Sequence, residues 1–191
     1  MRSIVLIGAS TGAPRIHHEY LLAMPPRFNA PVIIIQHMPK GPFIEGLIRY
    51  LRDTVSSPCK LAEDGDPLHP GTVLVAEPGT QVRVSRSGTA IRVAPEAGEN
   101  FFSPSMDVTF SSAAAAFGAG TFVAMTSGLH ADHDGLVGCE AVRSAGGRVL
   151  ITTPETTPCY QMIKHVRRAG IYDAEVPLTR ILPRIAEWMR S

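Results

Sequence analysis

Apolar residues along the chain fall into two kinds of stretch. The first is continuous and rich in β-branched residues: Ser3–Ile7, Pro31–Ile35, Thr121–Met125 and Arg148–Thr152 lack the polar alternation of a half-solvated strand. Such runs suit strands covered on both faces, as in a parallel sheet. The second kind repeats apolar residues at three and four positions over Pro14–Met24, Pro42–Asp53, Asp134–Ala145 and Pro158–Arg168. That is the period of an amphipathic helix, and one such segment follows each strand. Strand and helix in alternation predict right-handed βαβ units. The expected class is α/β: a three-layer, doubly wound, mostly parallel sheet in a single domain.

The middle of the chain breaks this rhythm. Thr72–Val75, Gln81–Ser85 and Thr89–Val93 are short runs separated by the turn-forming stretches Glu77-Pro78-Gly79-Thr80 and Arg86-Ser87-Gly88. Turn chemistry at that spacing predicts an antiparallel meander or hairpin inserted in the α/β domain. Ser105–Phe117 reads as a further helix, and Leu178–Met189 as a C-terminal one carrying Trp188.

Composition narrows the function classes. With 191 residues, 45% of them hydrophobic and 18% charged, the chain is long enough for one well-packed domain and short for two. A net charge of +1 and the lack of any dense Lys/Arg stripe argue against nucleic acid as a partner. Cys59, Cys139 and Cys159 show no C-x-x-C spacing, so neither a disulfide framework nor a zinc knuckle is indicated, and a reducing, cytoplasmic location is expected. The longest small-apolar stretch, Ala113–Met125, is broken by glycines and falls short of the roughly 20 residues a membrane span needs, so membrane insertion is not expected.

Candidate chemistry begins where the first strand ends. Gly8-Ala9-Ser10-Thr11-Gly12 matches the G-x-S-x-G corner, in which a sharp turn between strand and helix exposes a serine hydroxyl above the sheet edge. The first backbone N–H groups of the following helix, here those of Thr11 and Gly12, are placed to stabilise an oxyanion. The same five residues also serve as a plain structural turn. A nucleophilic serine needs a base and an orienting acid. In an open parallel sheet these lie at the carboxyl ends of neighbouring strands. The second strand ends in Gln36-His37-Met38-Pro39, and the strand Thr121–Met125 leads into Leu129-His130-Ala131-Asp132-His133-Asp134-Gly135. Ser, His and Asp thus reach one edge. Against this, His37 alone also suits a merely hydrogen-bonded strand end, and Asp134 before Gly135-Leu136 also suits a helix cap. Met38 and Phe43 are candidates to line a substrate groove, His17 and His18 are read as surface positions, and Asp107 as a carboxylate stabilised by a helix N-terminus.

Five stretches together resemble the catalytic domain of the chemotaxis protein-glutamate methylesterases, the CheB family: "IGASTGA", "VIIIQHMPKGPF", "AEDGDPLHPGTVLVAEPG", "SPSMDVTFSSAA" and "DGLVGCEAVRSAGG". The resemblance implies Ser10 as nucleophile, His37 as general base and Asp134 as the acid that orients it, with Thr11 flanking the nucleophile. It implies hydrolysis of glutamyl γ-methyl esters on the cytoplasmic helices of chemoreceptors, with release of methanol and in many members deamidation of receptor glutamines. It implies no metal or organic cofactor. Members normally carry a receiver domain ahead of the catalytic one. This chain begins at the catalytic strand, so residues 1–191 are expected to be the catalytic domain without a receiver, as a stand-alone member or an excised domain. A separate receiver or response regulator is then a candidate partner.

The sequence departs from the family pattern in three places. Ala13-Pro14 follow the corner where a second glycine is usual. The loop Gly128–Gly135 is longer by two residues, so counting from "DGLVG" selects Asp134 while counting from the preceding strand selects Asp132 as reserve. In that loop Leu129 is the candidate for a further oxyanion donor. Finally, "CYQMIKHV" replaces a Gly-Met-Pro segment. Three other readings stay open. Tyr160-x-x-x-Lys164 has short-chain-dehydrogenase spacing and would imply NAD(P), although the glycine fingerprint after the first strand is incomplete. His130, Asp132, His133 and Asp134 form a possible metal cluster for a metal-dependent hydrolase. A lengthened loop that spoils the oxyanion hole would leave a receptor-binding module without catalysis.

Overall fold

The computed structural model describes residues 2–12, 14–25, 28–95, 102–129 and 133–191. The four continuous apolar runs form the middle of the sheet, as the expected class requires. They are β1 (Ile4–Ala9), β2 (Val32–Gln36), β7 (Thr121–Ser127) and β8 (Arg148–Thr152), and almost every residue in them is buried. Three short strands complete a seven-stranded parallel sheet: β3 (Cys59–Leu61), β4 (Val73–Val75) and β9 (Ala174–Val176), in the order β3-β4-β2-β1-β7-β8-β9. Helices α1 (Arg15–Leu22), α2 (Phe43–Thr54) and α6 (Ile181–Trp188) contribute to one core with Val5, Ile7, Ile34 and Leu150. On the other face, α3 (Met106–Phe117), α4 (Leu136–Ser144) and α5 (Gln161–Ala169) pack with Ile4, Leu6, Ile33 and Val149. Successive strand residues feed opposite cores, which is why these strands read as unbroken apolar runs.

The predicted meander is only partly right. Gln81–Val84 (β5) and Ile91–Ala94 (β6) form an antiparallel hairpin whose Val82, Val84 and Ile91 join the α3 core. Val73–Val75, however, pairs in parallel with both β2 and β3 and belongs to the main sheet. Its three residues are all buried, and an apolar triplet of that length carries no periodicity that tells a central strand from a meander. The edge strands β3 and β9 were not legible at all, because each has three residues, mostly half-exposed, with a charged side chain in the middle. The C-terminal segment divides into a 3₁₀ turn over Leu178–Arg180 and then α6.

The strand order places the chemistry. Chain connections run outward from β1 toward β2 on one side and from β7 toward β8 and β9 on the other. The crevice at the carboxyl end of such a divergence is where open α/β sheets bind ligands. The strands β2, β1 and β7 are adjacent there, and they are the ones that precede His37, Ser10 and the loop containing Asp134.

Candidate active site

Backbone bonds tie the three strand ends together. Ser10 N–H donates to the Ser127 carbonyl at 2.7 Å and His37 N–H to the Ala9 carbonyl at 2.9 Å. The β1–β7 register slips between Gly8 and Ala9, and Thr126 uses its hydroxyl to reach the Gly8 carbonyl at 3.0 Å. A bulge at this place re-aims the next residue, which is Ser10. At the corner itself Gly12 has φ +119°, a backbone conformation that favours glycine at the turn into α1. Ser10 is only 4% exposed, and its hydroxyl has no partner among the described residues. Thr11 and Gly12 also keep their N–H groups free of partners among the described residues, as does Leu129.

His37 and Asp134 meet directly: Nε2 of the imidazole lies 2.8 Å from Asp134 Oδ2, both side chains being nearly buried. Phe102 stacks on the imidazole, with ring centroids 4.5 Å apart and planes 8° from parallel. Gln81 holds the Phe102 carbonyl at 2.7 Å. Asp134 is further held by the Ser105 hydroxyl at 2.7 Å on Oδ1, the Met106 N–H at 2.7 Å on Oδ2 and the Asp107 N–H at 3.1 Å on Oδ1. Burial alone would raise the pKa of this carboxyl, but the bonds from His37, Met106, Asp107 and Ser105 outweigh it and hold the pKa below the usual value. The carboxylate is therefore ionised and fixed at the N-terminus of α3.

Asp134 thus caps a helix other than the one that follows it. Its own helix, α4, has Gly135 at the N-cap with φ +99° and no side-chain cap. That place is served by Asp107, whose Oδ1 accepts the Gly135 N–H at 2.9 Å and the Gly138 N–H at 2.6 Å. The two helices exchange carboxylates, each lying at the positive end of the other's helix dipole. Asp107 is more than a carboxylate at its own helix start, as the sequence suggested, because it anchors the segment that carries Asp134.

That anchoring has a pH signature. Burial, reinforced by the neighbouring Asp134 charge and opposed by the two backbone N–H bonds, raises the Asp107 pKa from 3.8 to about 6. A raised native pKa favours the protonated form: its stabilising contribution is complete below about pH 4 and is lost as pH rises through about 6. Asp107→Asn keeps an acceptor for the two N–H groups and removes the charge. The unfolding free energy of the variant is expected to equal that of wild type near pH 4 and exceed it above pH 6, by on the order of 2 kcal/mol. A difference that does not change with pH would contradict this account.

Of the remaining candidates, Met38 is half-buried against the α1–α2 core, whereas Leu129 and Phe43 are more than half exposed. Asp132, the reserve carboxylate, lies outside the described residues, as does His130. His17, a surface position by its sequence context, is instead fully buried, because Gln36 and Tyr20 satisfy both of its ring nitrogens at 2.8 and 2.7 Å. Desolvation, only partly offset by the Gln36 bond, lowers its pKa to about 4, so it is neutral. Sequence reasoning missed Gln36, Phe102, Ser105 and Ser127; for Gln36 the signal was an amide immediately before the candidate base in an otherwise apolar strand.

The dehydrogenase reading loses its footing, whereas two of the four residues of the metal reading, His130 and Asp132, lie outside the described residues. Tyr160 donates to Glu175 at 3.1 Å while Lys164 bonds Gln161, so the pair does not act together. Desolvation, with the Glu175 bond, pushes the Tyr160 phenol up to about 12, away from the lowered value a proton-donating tyrosine needs. No group of three or more potential metal ligands occurs among the described residues. Both oxygens of Asp134 already accept two donors each, which uses the lone pairs a metal would take.

A serine corner, a histidine and an ionised carboxylate share the carboxyl edge of a parallel α/β sheet, and these are the residue types a serine hydrolase employs. The chain belongs to the CheB methylesterase family, whose model matches residues 5–185. The crystal structure of the Thermotoga maritima CheB methylesterase catalytic domain superposes with a TM-score of 0.91 at 30% identity, covering 98% of this chain and 99% of that one. A protein-glutamate methylesterase/protein-glutamine glutaminase of Anaeromyxobacter dehalogenans is 36% identical over 98% of this chain and 54% of its own length. A similarly named protein of Moorella thermoacetica is 36% identical over 95% of this chain and 43% of its length. The chain spans about half the length of the curated relatives it matches.

Proposed function

We propose that this chain hydrolyses γ-methyl esters of glutamate on the cytoplasmic helices of chemoreceptors, releasing methanol, and deamidates glutamines at such sites. The observation that carries this reading is the His37–Asp134 bond beside Ser10 in a chain of the CheB family. Because Asp134 occupies Nε2, the base is Nδ1 of His37. It takes the Ser10 hydroxyl proton as Oγ attacks the ester carbonyl, and the resulting oxyanion is received by the N–H groups of Thr11, Gly12 and Leu129. Collapse expels the methoxy group, protonated by His37, and leaves a glutamyl ester on Ser10. Water, deprotonated by His37, then releases the glutamate carboxylate and restores Ser10. Asp134 holds one tautomer of His37 and stabilises the imidazolium formed in both halves.

Deamidation follows the same path with ammonia as the leaving group. Leu129, Phe43 and Met38 belong to the rim that receives the receptor helix. The protein works in the cytoplasm in chemotactic signalling, and a separate receiver domain or response regulator is the expected regulator. No helix among the described residues is long and apolar enough to cross a membrane. The purified chain, incubated with a receptor cytoplasmic fragment carrying glutamate methyl esters, is expected to release methanol at a rate unaffected by chelators. Absence of methanol release, with the ester content of the fragment unchanged, would overturn the reading.

A further inference from the structure

Two buried side chains grip the carbonyls of the serine corner from below. Gln36, the last residue of β2 and 2% exposed, donates its amide N–H groups to the Ser10 carbonyl and, at 2.9 Å, to the His37 carbonyl. Two carbonyl partners fix which end of the amide is the donor. Its Oε1 then accepts from His17 Nε2 at 2.8 Å, which leaves Nδ1 of the neutral imidazole to accept from the Tyr20 hydroxyl at 2.7 Å. Every polar atom in this buried chain is satisfied, and it is anchored on α1. On the β7 side, the Ser127 hydroxyl donates to the Thr11 carbonyl at 2.6 Å, with the Cys159 carbonyl as a second acceptor at 3.2 Å. Ser127 also accepts the Ser10 N–H on its own carbonyl.

The consequence lies in peptide geometry. In a planar trans peptide the C=O of one residue and the N–H of the next point in opposite directions. The Ser10 carbonyl shares its peptide plane with the Thr11 N–H, and the Thr11 carbonyl shares its plane with the Gly12 N–H. Drawing both carbonyls into the protein turns both N–H groups the other way. We infer that Gln36 and Ser127 are positioning residues that aim the Thr11 and Gly12 N–H groups as a preorganised oxyanion hole, without either side chain touching substrate. Gln36 has a second effect, since by holding the Ser10 and His37 carbonyls together it also fixes the spacing of nucleophile and base. The inference rests on the esterase reading above.

The test uses Gln36→Met, close in volume but without a donor, and Ser127→Ala, with Ser127→Thr as the variant that keeps the hydroxyl. Methanol release from the methylated receptor fragment is measured per active serine, the serines being counted by labelling to completion with a fluorophosphonate. Gln36→Met and Ser127→Ala are each expected to lower kcat and kcat/KM by the same factor, about 10- to 100-fold, with KM unchanged. Inhibition by a simple alkylboronic acid, which forms a tetrahedral adduct on serine, should weaken by a similar factor, while Ser127→Thr stays near wild type. A structural role alone would reduce the number of labelled serines and leave the rate per serine and the boronate affinity at wild-type values; that result in both variants overturns the inference. If wild type is active and the variants match it per serine, only the inference falls. If wild type releases no methanol, the esterase reading falls and the inference with it.

Discussion

Ser10→Ala is expected to lower methanol release by on the order of 10⁶-fold while leaving the unfolding midpoint in place. The expected loss is that large because the proposed route forms a covalent ester on Oγ, and the neighbouring Ser105 and Ser127 hydroxyls are already engaged by Asp134 and by the Thr11 carbonyl. Cys139 is fully buried, and desolvation together with nearby carboxylates raises its pKa far above the usual thiol value; Cys59 lies in the core near β4 with its thiol raised to about 11 by burial. The fold is expected to tolerate the change because the Ser10 hydroxyl has no partner among the described residues, whereas its backbone N–H, which alanine retains, is the group tied to Ser127. Methanol assays combined with thermal unfolding separate the two effects. A rate within tenfold of wild type would mean that Ser10 is not the nucleophile.

Asp134→Asn is the second large effect, about 10⁴-fold in rate. The argument comes from the four donors around the carboxylate. Ser105 and the Asp107 N–H point at Oδ1, while His37 and the Met106 N–H point at Oδ2. An amide has only one oxygen, so its NH₂ group must face one pair of donors. If it faces His37, the imidazole loses its acceptor and the tautomer with a free Nδ1 is no longer favoured. If it faces Ser105, the cap of α3 is broken. Unlike Ser10→Ala, this variant is therefore expected to lose stability too, by about 1–3 kcal/mol, since a buried charge-assisted cap is replaced by opposed donors. The same change at Asp132 should leave the rate near wild type, because Asp134 already occupies Nε2 of His37. The reverse pattern, with Asp132→Asn inactive and Asp134→Asn active, would transfer the role.

The legible part of the site consisted of residues that end apolar strands. Ser10 after β1, His37 after β2 and Asp134 beyond β7 each follow a run whose burial on both faces marks it as a central strand, and parallel topology forces their ends to one edge. The groups that hold them were not legible in the same way. Ser105 and Asp134 are 29 positions apart, His37 and Asp134 97 apart, and Ser127 and Thr11 116 apart. Periodicity reports only on residues a few positions distant. Asp134 shows the difference: its place before Gly135-Leu136 suggested a cap for α4, but the packing of α3 against α4 gave that task to Asp107 and turned Asp134 toward α3 and His37. His17 shows it again, because a histidine in an amphipathic segment is polar by type, and only the nearness of Gln36 and Tyr20 makes full burial affordable.

By itself the sequence determined the α/β class, the central strands and their following helices, and which side chains arrive at the carboxyl edge of the sheet, because burial on both sheet faces demands unbroken apolar runs and parallel connections leave one edge for their ends. The tertiary structure alone decided that β4 joins the main sheet, that α3 and α4 exchange carboxylates, and that Gln36 and Ser127 take hold of the corner carbonyls. Those outcomes depend on which buried donors find acceptors once distant segments pack, and that pairing is settled by the need to satisfy every buried polar group.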